Sequence, residues 1–412
     1  MSIEKHPLPS PQRHLLLSLF WQFFKIALFV VGGGYAIIAV ADDIFGRRLK
    51  WLKEGELMEH LPVFQMVPGI IAGNAAIYTG LKLAGRLGAA VALVGVVLPS
   101  LIIFTLVSCG YEALPLEAPI LSGIFTGLRA SLAGIIGGAI VSGWRKGVKG
   151  AYGYCALAVC AAALWTRTAS TATVLLLAAG AGIALEWCGL GDSGAIESAG
   201  VEVKPLSRRN RVIAAVATLA ALAAITLWRG RLYWTFVKFG LMCFGGGFVL
   251  VPAYIDEFVG PSAPMLQLPM HEFGDVMALT QMTPGPVGVN CATFFGFRTA
   301  GVAGAIAATL GLFSPSYFLL TTALGGLERW KENRVAKGLL RGVRPATIAL
   351  MVVAFVSFAS LALWGGGGEE ASFSPLGCAL AVISLAAALS RRLSAMAIIF
   401  GCAAVGAIVA LV

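Results

Sequence analysis

Apolar residues along this chain come in long uninterrupted runs separated by short polar stretches. Residues 85–107, 211–228 and 394–412 are three such runs. A helix needs roughly 20 residues to cross a hydrocarbon layer about 30 Å thick, so the pattern predicts membrane-spanning helices. Barrel strands would alternate apolar and polar residues over about ten positions, and these runs do not. The expected class is an all-α polytopic membrane protein, with the lipid bilayer as its solvent.

The interruptions follow a second pattern: they recur. Trp21, Phe23, Lys25, Leu28 and Gly32-Gly33-Gly34 return 213 residues later as Trp234, Phe236, Lys238, Leu241 and Gly245-Gly246-Gly247, with Asp43 and Phe45 matching Asp256 and Phe258. After a short loop the offset becomes 216. There Glu56, Gln65, Pro68, Gly69, Asn74, Gly80, Gly85 and Ser100 match Glu272, Gln281, Pro284, Gly285, Asn290, Gly296, Gly301 and Ser316. Further on, Gly127 and Arg129 pair with Gly342 and Arg344. Register held through Pro, Gln and Asn implies a duplication. The predicted organisation is a first repeat at 1–187, a polar linker at 188–210 and a second repeat at 211–412.

Loop charge predicts how the repeats are inserted. The loop at 108–119 carries Glu112 and Glu117 and no cation, whereas its mate at 325–338 carries Arg329, Lys331, Arg334 and Lys337. The next loop, 143–150, holds Arg145, Lys146 and Lys149, and its mate at 364–374 holds Glu369 and Glu370. Cytoplasmic loops are enriched in Lys and Arg, so equivalent loops fall on opposite faces. That is the mark of an inverted repeat, an arrangement shared by many secondary transporters. Six helices per half plus 211–228 give about 13 spans. Arg47, Arg48, Lys50 and Lys53 fit this count poorly, and the sequence leaves open whether 57–83 and 271–298 cross fully or are re-entrant.

Composition narrows the functions available. With 58% hydrophobic and 12% charged residues, the chain has about half the charge of a soluble domain. Its net charge of +10 sits in short loops, where it sets topology and does not signal nucleic acid. Eight cysteines show no CxxC spacing and mostly lie in apolar runs, where Cys behaves as a small hydrophobe. No metal site, cofactor or disulfide framework is expected. The four His residues, 6, 14, 60 and 271, fall outside or at the edges of spans, and the chain is not expected to be an enzyme.

The candidate chemistry lies at the repeated breaks. Gln65, Pro68, Gly69 and Asn74 form one set, and Gln281, Pro284, Gly285 and Asn290 the other. Pro-Gly inside a helix interrupts its hydrogen-bond ladder. The half-helix beginning after it aims its N–H groups at an anion. Such discontinuous helices near the midplane would hold substrate between the repeats. The glycine triplets, Gly32, Gly33 and Gly34 with Gly245, Gly246 and Gly247, either pack helices closely or unwind to expose amides. Lys25, Lys238, Arg129 and Arg344 are candidate partners for a dianion, although a Trp four residues before each Lys favours interfacial anchoring for those two. Asp43, Asp256, Glu56 and Glu272 are candidates for proton coupling, with helix capping as the plainer role. Glu59 and Asp275 are a further acidic pair of the same kind.

The glycine triplet followed by Gln-x-x-Pro-Gly resembles the chromate ion transporter family, in its long two-domain form. The likeness is most specific at Phe244-Gly245-Gly246-Gly247 and Gln281-Met282-Thr283-Pro284-Gly285-Pro286. That resemblance implies export of chromate, with sulfate as a competing oxyanion, across a bacterial inner membrane and driven by an ion gradient. The first repeat departs from the pattern, with Val31 in place of Phe244 and Ile70 in place of Pro286. Transport of another anion such as sulfate and an intramembrane oxyanion-processing enzyme are the alternatives. A homodimer is left open.

Overall fold

The computed structural model describes residues 12–30, 33–111, 118–148, 150–187, 230–244, 246–323, 334–364, 373–390 and 392–411. Helices α1 (Gln12–Phe29), α2 (Gly33–Asp42), α3 (Glu56–Glu59), α4 (Leu61–Met66), α5 (Ile71–Tyr111), α6 (Pro119–Gly147), α7 (Gly150–Trp165) and α8 (Thr171–Trp187) come from the first repeat. The second contributes α9 (230–242), α10 (Val251–Phe258), α11 (Met270–Met282), α12 (Val287–Ala323), α13 (Arg334–Trp364), α14 (Pro375–Ser390) and α15 (Ala395–Val409). Among the described residues there is no strand, and one isolated bridge joins Val259 and Leu268. The expected all-α class is observed. Among the described residues, four stretches are long and apolar enough to cross a membrane: Ile71–Tyr111, Pro119–Trp144, Val287–Thr322 and Lys337–Trp364.

The helices wear apolar side chains outward. Leu87, Val94, Ile102 and Leu106 line one face of α5, and Leu106 is 66% exposed. Water would penalise such a face, whereas lipid does not.

Gly32, Gly245, the linker 188–210 and the span expected at 211–228 lie outside the described residues. So do Glu112, Glu117, Lys149, Arg329, Lys331, Glu369 and Glu370. The loop-charge argument for inversion therefore rests on sequence, as does the count of 13 spans.

The chain forms two compact units that do not coincide with the two repeats. Unit 1 comprises residues 1–105, 193–245 and 292–333, and unit 2 comprises 106–192, 246–291 and 334–412. Each draws on both repeats.

In unit 1 the apparent length of α5 and α12 is deceptive. Both contain the same break: Ala84 and Gly85 in α5 (φ/ψ −138°/20° and 67°/−159°), Ala300 and Gly301 in α12 (−153°/30° and 61°/−155°). The left-handed φ of Gly85 and Gly301 suits glycine. Beyond each break the chain turns back on itself. Gly80 meets the backbone of Gly88, and Gly296 meets that of Gly304. The hydroxyls of Thr293 and Thr309 are 3.2 Å apart, whereas sixteen residues of straight helix would separate them by about 24 Å. Each is a helical hairpin with a short arm, Ile71–Ala84 or Val287–Ala300. At about 21 Å, neither arm alone matches a bilayer core. The longer arms pack alike, Gly95 against the Phe20 backbone of α1 and Gly311 against the Tyr233 backbone of α9.

Unit 2 is interleaved. Helix α6 of the first repeat packs on α14 and α15 of the second, and α13 of the second packs on α7 and α8 of the first. Glycines permit the approach: Gly123 and Gly127 fit against Gly406 and Cys402, and Gly338 and Gly342 against Gly182 and Ala178. Small residues four apart are the usual means of bringing membrane helices together.

Candidate functional site

Each Pro-Gly break is built the same way, and each is described within its own unit. In unit 1, α4 ends at Met66 and the short arm of α5 begins at Ile71. Gly69 takes φ +121° and its N–H donates to the Cys243 carbonyl at 2.7 Å. Ser316 donates to the Pro68 carbonyl at 2.9 Å. The first repeat's break is thus braced by second-repeat residues. In unit 2, α11 ends at Met282, Gly285 takes φ +99°, and α12 begins at Val287.

The repeated asparagines hold the breaks open. Asn74 Nδ2 donates to the carbonyls of Phe64 and Val67, at 2.9 and 3.0 Å. Asn290 Nδ2 donates to the Thr280 carbonyl at 3.3 Å and to Thr283 Oγ1 at 3.1 Å. Both side chains are fully buried, and their donors satisfy carbonyls that the lost helical turn would otherwise leave bare. The expectation of Asn as an anion donor changes accordingly, because these N–H groups are committed to the helix end.

The described glycines of the triplets bring a second helix start to each break. A Cβ on Gly34 would lie 3.4 Å from the Ala72 nitrogen, and one on Gly247 would lie 3.1 Å from the Gly288 nitrogen. In unit 1, the starts of α2 and α5 meet. In unit 2, the short 3₁₀ turn Gly247–Leu250 that leads into α10 meets the start of α12. The first N–H groups of a helix have no intrahelical acceptor, and its N-terminal end carries about half a positive charge. Two such ends side by side make a place for an anion without a cationic side chain.

The two glutamines differ. Gln65 Nε2 donates to the Tyr35 hydroxyl at 2.8 Å. At the equivalent of Tyr35 the second repeat has Phe248, and Gln281 Nε2 is buried with no hydrogen-bond partner.

The candidate cations have surroundings of their own. Lys25 and Lys238 are exposed, each one turn beyond an exposed Trp (Trp21, Trp234), and Lys238 lies over the Phe239 ring at 5.5 Å. That is the anchoring arrangement. Arg344 is exposed. Arg129 grips Asp275 with two donors, Nε to Oδ1 at 2.5 Å and Nη2 to Oδ2 at 3.0 Å, and Tyr111 donates to Asp275 Oδ2 at 3.0 Å. Asp275 is 1% exposed, so it is a buried ion-pair partner and not a solvated helix cap. Its repeat mate Glu59 is exposed. Sequence pairing hid this contact because it equates Arg129 with Arg344 and Asp275 with Glu59, whereas Arg129 and Asp275 make the contact and their mates are exposed.

Among the acids, Asp43 pairs with Arg48 at 2.7 Å and Arg47 at 3.7 Å, on the surface. Asp256 is exposed and accepts from Thr171 Oγ1 at 3.0 Å. Glu272 lies in the first turn of α11, where the helix dipole favours it. Glu56 differs from these: it is 3% exposed and 2.5 Å from Lys82 Nζ. Burial pushes its carboxyl pKa up. Hydrogen bonds from Lys82, the Lys53 N–H and Tyr78 outweigh that and hold it below the usual carboxylate range. Among the described residues, no group of His, Cys, Asp and Glu is arranged to hold a metal ion.

Long apolar helices, outward apolar faces and paired broken helices define a polytopic α-helical membrane transporter. Comparison with known proteins gives the family. The chromate transporter profile matches residues 17–185 and 230–407, and the chain belongs to that family. It is similar to the chromate transport protein of Pseudomonas aeruginosa, 25% identical over 83% of this chain and 81% of that one. A probable chromate transport protein of Synechococcus elongatus is 27% identical over 81% and 82%. An uncharacterized transporter of Methanocaldococcus jannaschii is 25% identical over 84% and 85%. No solved structure matches the chain significantly. The protein is a transporter and not an enzyme.

Proposed function

We propose that this protein is a secondary active transporter that exports chromate, a sulfate-like tetrahedral dianion, across a bacterial inner membrane. The substrate is held at the helix starts that follow Pro68-Gly69 and Pro284-Gly285. The observation that carries this reading is the paired helix starts at each break, Gly34 against Ala72 and Gly247 against Gly288. Backbone N–H groups and converging dipoles suit an oxyanion, and the names of the Pseudomonas and Synechococcus relatives supply chromate. Gln281 is the side chain best suited to add a donor. A buried N–H without an acceptor is unfavourable by about 1–3 kcal/mol, and an oxyanion would supply the acceptor.

The test is chromate accumulation in energised inside-out vesicles, with excess sulfate and a protonophore as separate controls. Accumulation suppressed by both is expected. Replacing Gln281 by Ala should weaken apparent chromate affinity about tenfold or more, as for a hydrogen bond to a charged group. Gln65→Ala should do less, because Tyr35 already occupies that amide. Equal effects of the two changes, or wild-type transport by the Gln281 variant, would refute the assignment of the site. Sulfate uptake without chromate uptake would keep the site and change the substrate.

A further inference from the structure

Unit 1 holds a second polar cluster that the oxyanion site does not use. Glu56 and His60 stand one turn apart at the start of α3 and the entry to α4, while Tyr78 and Lys82 stand one turn apart on the short arm of α5. Lys82 Nζ and the Tyr78 hydroxyl both donate to Glu56 Oε1, at 2.5 and 2.9 Å, and the Lys53 N–H donates to Oε2 at 3.1 Å. His60 is 4% exposed, with its ring centroid 4.9 Å from that of Tyr78.

The partners of the imidazole fix its neutral tautomer. Nδ1 lies 2.9 Å from the Glu56 carbonyl oxygen, which only accepts, so Nδ1 carries the proton. Nε2 then presents a lone pair, 3.4 Å from the Tyr78 oxygen. The single hydroxyl proton of Tyr78 is directed to Glu56, so two lone pairs face each other. A proton added at Nε2 turns this opposition into a donor–acceptor pair and leaves every other bond in place.

We propose that His60 is a proton-binding residue of this transporter, with Tyr78 and the Glu56–Lys82 pair as the cradle that accepts its protonated form. The proposal rests on the secondary-transport reading above. One proton enters from water, the Nε2–H bond forms, and the cluster gains one positive charge; release reverses the step. Despite burial, hydrogen bonds hold the Glu56 carboxyl below the usual carboxylate range, so it stays an anion at the far end of the Tyr78 hydroxyl's bond. The other charge nearby is Asp42 of α2, which accepts from the Gly55 and Leu57 N–H groups at 3.0 and 2.8 Å, while Glu59 is exposed. His60 joins α3 to α4, the helix that ends in Gln65 and leads into Pro68-Gly69. A charge change there acts on the element that builds the break.

The second repeat supports a single site per chain. Glu272 and Arg298 preserve the charges of Glu56 and Lys82, but Val276 and Phe294 replace His60 and Tyr78. The ring shape is kept at Tyr78's position and both groups that move a proton are lost.

Two measurements test this. Purified protein taken from about pH 8 to 5.5, the range in which histidine titrates, should bind one more proton than the His60→Gln variant, read with a pH-indicator dye. Equal uptake would overturn the proposal, whatever the substrate proves to be. In vesicles, the His60→Gln and Tyr78→Phe variants should lose about tenfold or more of the chromate accumulation driven by an imposed pH gradient. Exchange of labelled chromate at zero gradient should stay within about twofold. Full gradient-driven accumulation by either variant would also overturn it. Wild-type protein that exchanges no chromate would refute the proposed function, leaving the dye titration to decide His60. If His60→Gln fails to fold, Tyr78→Phe takes its place, since Phe294 occupies that position in the second repeat, and its proton uptake should shift to lower pH. An unshifted midpoint would count against the cradle.

Discussion

Side chains related by the repeat do different work at the two ends. Asn74 and Asn290 brace their breaks in the same way, whereas Gln65 has Tyr35 as acceptor and Gln281 has none. Arg129 is half-buried against the buried Asp275, whereas Arg344 is exposed. Breaking a fully buried ion pair destabilises a protein by about 3–5 kcal/mol, and a half-buried guanidinium left without its carboxylate should cost less. Asp275→Ala should therefore lower the melting temperature in detergent. Arg129→Ala combined with it should recover part of the loss. A double variant as unstable as the sum of the singles would mean that the pair is not coupled.

At the scale of elements, α5 and α12 are the instructive cases. Each runs on as one very long helix, and the Ala-Gly step inside it makes two, in α5 at the residue where the apolar run 85–107 begins. The hairpin makes a sharp prediction. In a background without other cysteines, Thr293→Cys and Thr309→Cys together should form a disulfide under mild oxidation, because their hydroxyls are 3.2 Å apart. A continuous α12 would hold them about 24 Å apart and no crosslink would form. The short arms also bear on the breaks. A half-helix of about 21 Å begins and ends within protein, and backbone left bare at such ends must be satisfied there. The Asn74 and Asn290 amides do this at the Pro-Gly ends.

At the scale of the whole molecule, neither unit belongs to one repeat. Unit 2 packs α6 on α14 and α15, and α13 on α7 and α8, through glycine contacts that admit no larger side chain. Each repeat therefore lacks partners for its own helices. Residues 1–187 and 211–412, expressed as separate chains, should co-purify when made together, and neither should give a monodisperse, folded species alone. A second-repeat fragment that folds by itself would contradict the interleaving. Gly127→Leu or Gly342→Leu should block association of the fragments, since each side chain would enter the backbone of the facing helix.

The sequence by itself determined the helical membrane class, the two Pro-Gly breaks and the likeness to the chromate transporters, and its internal register argued for a duplication. All of these follow from local composition and spacing, which one chain displays directly. Only the tertiary structure decided that the helices meeting at Gly85 and Gly301 fold back on each other as hairpins with short arms, that the asparagine donors face inward to helix ends, and that Arg129 answers to Asp275. It also decided that His60, which the sequence places outside or at the edge of a span, is buried against Tyr78 and hydrogen-bonded to the Glu56 carbonyl. These features join residues that are distant in sequence and unequal between the repeats. A duplication predicts equal roles for matched positions, whereas folding places matched side chains in different surroundings and so gives them different partners.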